Sequence, residues 1–67
     1  MVFDRTGEAR LLMEKHAPAS HRAGGKRYIV YLDKEDKDGR FHFTGVEDGG
    51  TETISGWAEA AKFWAIE

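Results

Sequence analysis

The 67-residue sequence contains no cysteine and a single proline. Without cysteine the chain forms no disulfide and no thiolate zinc site. A chain of this length buries only about 60% of the surface that its unfolded form exposes, so its stability must come from a well-packed core or from self-association. Two Trp, four Phe and two Tyr supply the large apolar side chains that such a core needs.

Long hydrophobic segments are also missing. No stretch approaches the roughly 18 apolar residues of a membrane-spanning helix, and residues 1–10 lack the apolar region of a signal peptide. The absence of cysteine is compatible with a reducing compartment. We therefore expect an intracellular, cytoplasmic protein.

The net charge is small, −2, but the charged residues are unevenly distributed. Residues 1–27 carry six basic and three acidic side chains, whereas residues 28–67 carry four basic and nine acidic ones. The acidic second part argues against a phosphate backbone as the main target, because that target requires a basic surface. The basic first part contains Arg22, Lys26 and Arg27, which are the candidate residues for an alternative role in nucleic-acid binding.

Hydrophobic periodicity predicts one domain, residues 1–67, with the element order α-β-β-β-α. Apolar residues at 3/4 spacing predict a helix over residues 6–17, which Asp4 or Thr6 would cap. Pro18 and Gly24-Gly25 predict a loop after it, and residues 1–25 are expected to be partly flexible. Residues 26–67 would then form a β-meander closed by a second helix.

Three strands are predicted in the meander. Residues 26–33 contain the apolar run Tyr28–Leu32, which is typical of a central strand. Residues 40–46 alternate, with Phe41 and Phe43 on one face and His42 on the other. Residues 51–54 follow a Gly-Gly turn and would form a short third strand.

The C-terminal residues 56–66 predict a helix. At 100° per residue, Trp57, Ala60, Ala61 and Trp64 lie on one face, and packing that stripe on the sheet would bury both tryptophans. The expected fold class is therefore α+β, a three-stranded antiparallel sheet packed against a C-terminal helix, with a short N-terminal helix.

No pattern predicts catalysis or a metal site. With Gly39 at the sixth position of a calcium loop, Asp36 and Asp38 fall at ligand positions, but Lys34 and Gly45 occupy the first and twelfth. The three histidines lack the spacing of zinc ligands. We therefore expect no metal, no cofactor and no enzymatic activity.

Two surfaces are candidates for binding a partner. The sheet face opposite the C-terminal helix would carry Tyr31 and His42, which are able to stack on bases or to meet a protein; alternatively the N-terminal helix covers this face. The outward side of the last helix would carry Phe63 and Ile66, which suggests a partner contact or a homodimer; alternatively both pack at the rim of the core.

The acidic turns are further candidates. They would face a basic surface on a protein partner and steer the association. The acidic side chains that we expect to make this contact are Glu35, Asp36, Asp38, Glu47 and Asp48.

Residues 54–63, Ile-Ser-Gly-Trp-Ala-Glu-Ala-Ala-Lys-Phe, resemble the strand, small cap and Glu-Ala ending of HicB-type antitoxins. They are similar in the same way to the arm-type DNA-binding domain of phage integrases. The α-β-β-β-α order resembles that of double-stranded-RNA-binding domains, although Gly56, Trp57 and Ala58 stand where such a domain carries lysines. These resemblances imply a β-β-β-α module.

The leading hypothesis for function is a small, non-catalytic protein-binding module. It would act as a regulator or stoichiometric inhibitor of the kind that phages and mobile elements encode, antitoxin-like or anti-CRISPR-like, by analogy of size and class. Two alternatives stay open: a nucleic-acid-binding domain that uses the basic residues and the open sheet face, and a homo-oligomeric structural protein held by its last helix.

Overall fold

The computed structural model describes residues 5–66, which form one helix and a five-stranded antiparallel sheet. The elements are α1 Thr6–Lys15, β1 Ala19–Ala23, β2 Lys26–Glu35, β3 Arg40–Glu47, β4 Thr53–Glu59 and β5 Phe63–Ala65. A 3-10 turn, Ala60–Lys62, joins the last two strands. The strand order across the sheet is β4-β3-β2-β1-β5, so β1 to β4 form a meander and β5 returns to pair with β1.

The prediction of a three-stranded sheet with a C-terminal helix over residues 56–66 is wrong, because these residues belong to β4, the 3-10 turn and β5. An 11-residue helix is marginal in water without tertiary support. As a strand, Thr53–Glu59 instead pairs residue by residue with β3. Its side chains alternate, with Ile54, Gly56 and Ala58 more buried than their neighbours. The more buried residues of this segment therefore recur every two residues, as in a strand, and not every 3.6 residues, as in the predicted helix.

The predicted buried stripe of Trp57, Ala60, Ala61 and Trp64 does not form. Trp57 is 46% exposed and Trp64 is 40% exposed, whereas Phe63, which was expected on the outward side, is 1% exposed. In β5 adjacent side chains point to opposite faces of the sheet, so Phe63 and Trp64 cannot share a face. Phe63 is thus the core residue of this segment.

The predicted loop before residue 26 contains β1, which is a further correction. Strand β1 pairs with β2 over five residues, from Ala19 opposite Val30 to Ala23 opposite Lys26. Gly24 and Gly25 have φ angles of 57° and 77°, the left-handed values that a two-residue hairpin turn requires and that glycine adopts without strain. The Gly-Gly pair is therefore a hairpin turn and not a linker.

The core lies between α1 and one face of the sheet. The rings of Phe43 and Phe63 meet edge to face at 5.4 Å, and the buried His21 ring lies within 5.2 Å of both. The Nδ1 atom of His21 is 3.0 Å from the carbonyl oxygen of Lys62, which fixes the 3-10 turn to β1. The fully or almost fully buried apolar residues are Ala9, Ala19, Tyr28, Val30, Leu32, Phe41, Phe43, Ala60 and Phe63.

Helix α1 confirms the predicted N-terminal helix with a shorter span. It ends at Lys15, His16 takes a left-handed conformation, and the N–H of Ala17 donates to the carbonyl of Leu12 at 3.0 Å. Arg5 occupies the cap position and its side chain makes no capping hydrogen bond, and Thr6 is the first residue of the helix, so Thr6 is not the predicted cap residue. Asp4, the other predicted cap, lies outside the described residues.

A bidentate ion pair joins α1 to β2. The Nε and Nη2 atoms of Arg10 donate to the two carboxylate oxygens of Glu35, each at 2.9 Å. These hydrogen bonds hold the pKa of Glu35 below its usual value of 4.5. The folded pKa is therefore lower than the unfolded one, so the pair stabilises the fold above the unfolded pKa and this contribution is lost as pH falls through the folded value.

We expect Glu35→Gln to be less stable than the wild type at neutral pH, and we expect this difference to shrink as pH falls through the folded pKa of Glu35. Urea unfolding over a series of pH values from neutral to acidic measures the difference. Glu14→Gln, on α1 and without an ion pair within residues 5–66, is the matched control. A destabilisation of Glu35→Gln that does not change with pH would show that the charge of Glu35 has no part in it.

Candidate functional site

The face of the sheet turned away from α1, here called the open face, is built from alternate residues of all five strands. The strand register places these residues in rows that run across the sheet. One row reads Trp64, Ser20, Ile29, Val46 and Thr53; the next reads Tyr31, Thr44 and Ser55; a third reads Lys34, His42 and Trp57.

Large apolar side chains are concentrated on the open face. Tyr31 is 49% exposed, Trp57 46%, Val46 41% and Trp64 40%. Within residues 5–66 the other large hydrophobic side chain with comparable exposure is Leu11, which lies on α1. Exposed apolar groups that gather on one face make it a candidate interaction surface, whereas isolated ones such as Leu11 are normal.

Trp57, on the edge strand β4, is held by its neighbours on the open face. The His42 ring meets it edge-on at 5.2 Å, and the Nζ atom of Lys34 lies 5.8 Å from the ring centroid. His42 is in turn fixed by Asp33, with 2.7 Å between His42 Nδ1 and Asp33 Oδ1. A register shift between Leu32 and Lys34 forms a bulge, and it lets both Asp33 and Lys34 reach this face.

At the other end of the sheet, Trp64 on β5 borders a depression of about 320 Å³. The Nε atom of Arg27 donates to the hydroxyl of Ser20 at 3.1 Å and lies 3.8 Å from a carboxylate oxygen of Asp48. Within residues 5–66, no hydrogen bond or ion pair is formed by the guanidinium of Arg22. The residues that line the depression are Ser20, Arg22, Arg27 and Trp64.

A third arginine approaches Trp64 from the start of α1. The guanidinium carbon of Arg5 lies 5.3 Å from the centre of the Trp64 ring, a cation-π distance. Arg5 also lies 3.5 Å from Glu8, and its buried Nε atom has no hydrogen-bond partner in the described part of the chain. Three of the six basic residues of the first part of the sequence, Arg5, Arg22 and Arg27, thus lie around an aromatic ring from the last strand.

Two of the three predicted basic residues, Arg22 and Arg27, lie at this depression, but Lys26 does not. The Nζ atom of Lys26 is 2.6 Å from Glu52 and 4.0 Å from Glu47. The hydrogen bond to Glu52 and the charges of both acids raise the pKa of Lys26 above 10.5. Lys26 therefore stabilises the turn between β3 and β4 through ion pairs within the chain.

The acidic side chains that were predicted to contact a partner are all in ion pairs within the molecule. Asp36 accepts hydrogen bonds from the backbone N–H groups of Asp38 and Arg40, each at 2.9 Å, which shapes the β2–β3 turn. Because the acids are locally neutralised, they have less charge to offer a partner. The pairs are Glu35 with Arg10, Asp36 and Asp38 with Arg40, Glu47 with Lys26, and Asp48 with Arg27.

The structure separates the remaining predicted site residues. Tyr31 and His42 lie on the open face as expected, and α1 packs on the other face. Phe63 is in the core and Ile66 is half-buried, so they do not form the predicted outward apolar pair. The sequence interpretation did not identify Trp57 and Trp64 as surface residues. The alternation of residues in Thr53–Glu59 is a signal that could have predicted the exposure of Trp57.

Residues 5–66 contain neither a metal-ligand cluster nor a membrane-spanning helix. No cluster of three or more His, Cys, Asp or Glu side chains in this range could hold a metal ion. None of its helices has the length and hydropathy required to cross a bilayer.

Comparison with known proteins gives no match: no protein-family model fits the chain, and neither a curated protein nor a solved structure is significantly similar to it.

Proposed function

We propose that this chain is a non-catalytic binding module whose open face binds single-stranded nucleic acid. The observation that carries the proposal is the combination, on one sheet face, of three exposed aromatic rings with cationic side chains. Proteins bind single strands by stacking bases on aromatic rings while basic groups contact the phosphates. The rings are Tyr31, Trp57 and Trp64, and the cations are Arg22, Arg27 and Lys34.

The spacing of the rings suits several nucleotides. Trp57 and Trp64 lie on the two edge strands, with β3, β2 and β1 between them. At about 4.8 Å per strand, the four steps from β4 to β5 separate the two edge strands by about 19 Å in the direction across the strands. Tyr31, on the central strand β2, lies between the two tryptophans. A short strand crossing the sheet could therefore stack on all three rings in turn.

The net charge of −2 does not oppose this proposal, because local charge decides where an anion binds. The acids of the two turns are paired with basic groups of the chain. The open face, in contrast, has Arg22 unpaired within the described residues and Lys34 beside Trp57. With three cations on the phosphates, we expect log Kobs to fall with log salt at a slope of only about −2.

Protein binding remains a second candidate function, and one specific observation supports it. Val46 is 41% exposed and pairs with Ile29 in the middle of the open face. Aliphatic side chains contribute to protein contacts but do not stack on bases. A regulator or inhibitor would therefore use this face rather than the paired acidic turns. The predicted homo-oligomer held by a C-terminal α-helix loses its basis, because residues 56–66 form no α-helix.

We expect Trp57→Leu to weaken binding to a fluorescent single-stranded oligonucleotide by about 5- to 150-fold, the range for losing one base-stacking ring. Fluorescence anisotropy of the folded full chain at low salt measures the dissociation constant. Because Trp57 is exposed, the variant should keep its fold, which circular dichroism checks.

The matched control is Leu11→Ser, which removes an exposed apolar side chain of similar exposure from α1. It should bind the oligonucleotide as the wild type does. An equal loss in both variants, or no binding of single-stranded DNA or RNA by the wild type, would overturn the proposal. Capture of a protein partner that depends on Trp57 and Val46, without oligonucleotide binding, would support the second candidate instead.

A further inference from the structure

The geometry points to a nucleotide subsite in the depression between β1, β2 and β5. We infer that a phosphate binds between Arg22 and Arg27 while the attached base stacks on Trp64. As a place for one nucleotide of a bound strand this inference rests on the proposed function, but it also requires that a free nucleoside monophosphate binds there. It assigns a ligand class and a position to one end of the open face.

The size and lining of the depression fit such a ligand. Its volume of about 320 Å³ lies at the lower end of the range for small-molecule sites. The lining combines two guanidinium groups, one hydroxyl and one indole ring. Arginine is suited to phosphate because its planar group donates two parallel hydrogen bonds. The hydroxyl of Ser20 already accepts a hydrogen bond from Arg27, and this bond helps to orient the guanidinium.

The relative positions of Arg22 and Arg27 favour the binding of an anion. Arg22 and Arg27 are direct cross-strand partners in the β1–β2 pairing. Like charges opposite each other on neighbouring strands destabilise a sheet. Asp48, at 3.8 Å, offsets part of the charge of Arg27, but no acid within residues 5–66 pairs with Arg22. A bound phosphate dianion would remove this repulsion, which favours its binding.

Arg5 prepares Trp64 for stacking. A guanidinium at 5.3 Å from the ring centre occupies one face of the indole, so a base has the opposite face for stacking. The contact also orders the ring, which lies on a strand of only three residues. An ordered ring loses less conformational freedom when a ligand stacks on it. The N-terminal cap residue of α1 thereby contributes to a site that includes the last strand.

The test is an NMR titration of the full chain with adenosine monophosphate, adenosine and inorganic phosphate as separate probes. We expect the monophosphate to bind in about the millimolar range, at least about tenfold more tightly than adenosine or phosphate alone, because it uses the arginines and the ring together. Phosphate binding as tightly as the monophosphate would reduce the site to an anion site and overturn the inference. Tighter binding of a phosphotyrosine peptide than of the monophosphate would overturn it in favour of a protein ligand.

Variants assign the two halves of the ligand. Arg22→Gln should weaken the binding of the monophosphate about tenfold and leave the binding of adenosine unchanged, whereas Trp64→Leu should weaken the binding of both. Leu11→Ser, on α1 and away from the open face, should leave the binding of both probes unchanged and is the matched control. If Arg22→Gln and Trp64→Leu both bind the monophosphate as the wild type does, the subsite does not exist.

The two proposals fail in different ways. Monophosphate binding that depends on Arg22 and Trp64, without binding of any oligonucleotide, would leave the subsite standing and remove the proposed function. Oligonucleotide binding that depends on Trp57 but not on Arg22 or Trp64 would leave the function standing and remove the subsite.

Discussion

Gly45→Ala is expected to unfold the protein or to remove most of its stability. A Cβ atom at Gly45 would lie 2.1 Å from the carbonyl oxygen of Ile29 and 2.6 Å from the Cα atom of Val30. Both are backbone atoms of the neighbouring strand β2, so no side-chain rotation relieves the clash. The central β2–β3 ladder would have to separate, and we expect a loss above about 3 kcal/mol.

That loss is large for so short a chain, because natural domains carry only about 0.05–0.15 kcal/mol of stability per residue. Urea unfolding followed by circular dichroism measures it. Gly7→Ala is the control: Gly7 is an exposed residue of α1 with open space around it, and its replacement should be neutral or stabilise the fold by up to about 1 kcal/mol. A Gly45→Ala variant as stable as the wild type would show that β2 and β3 are not paired in this register.

Phe63→Ala is expected to cost about 3–5 kcal/mol, the range for removing a buried aromatic side chain. The neighbouring Trp64→Ala should cost less than half of that, because Trp64 is 40% exposed and Phe63 only 1%. The order of the two effects distinguishes a strand from a helix, since the helical arrangement would bury Trp64 and expose Phe63. Denaturant unfolding of both variants gives the comparison, and a larger loss for Trp64→Ala would contradict the assignment of β5.

The hairpin of β2 and β3 could be predicted from the sequence because its local signals agree with the final structure. The apolar run Tyr28–Leu32 gives a central strand, and the alternation that follows Gly39 places Phe41 and Phe43 in the core, at 0% and 4% exposure. The same alternation correctly places Tyr31 and His42 on the opposite face. That part of the candidate site was therefore visible in the sequence.

Two segments could not be predicted because tertiary pairing overrides their local preference. Ala19–Ala23 has the sequence Ala-Ser-His-Arg-Ala, without β-branched residues, and it becomes a strand because β2 and β5 pair with it on both sides. The segment Ala58–Ala61 is rich in helix formers, yet it spans the end of β4 and the 3-10 turn. The cluster of Trp64 with Arg5, Arg22 and Arg27 depends on the positions of both segments. No local sequence pattern could therefore predict it.

The most direct test of the open face as a nucleic-acid-binding surface is an NMR titration of the isotope-labelled chain with a single-stranded oligonucleotide. We predict chemical-shift changes at the indole N–H groups of Trp57 and Trp64 and at the backbone amides of Tyr31, Thr44 and Arg22, while the amides of α1 beyond its first turn stay unchanged. Changes confined to α1 and the β2–β3 turn, or none at saturating oligonucleotide, would contradict the account.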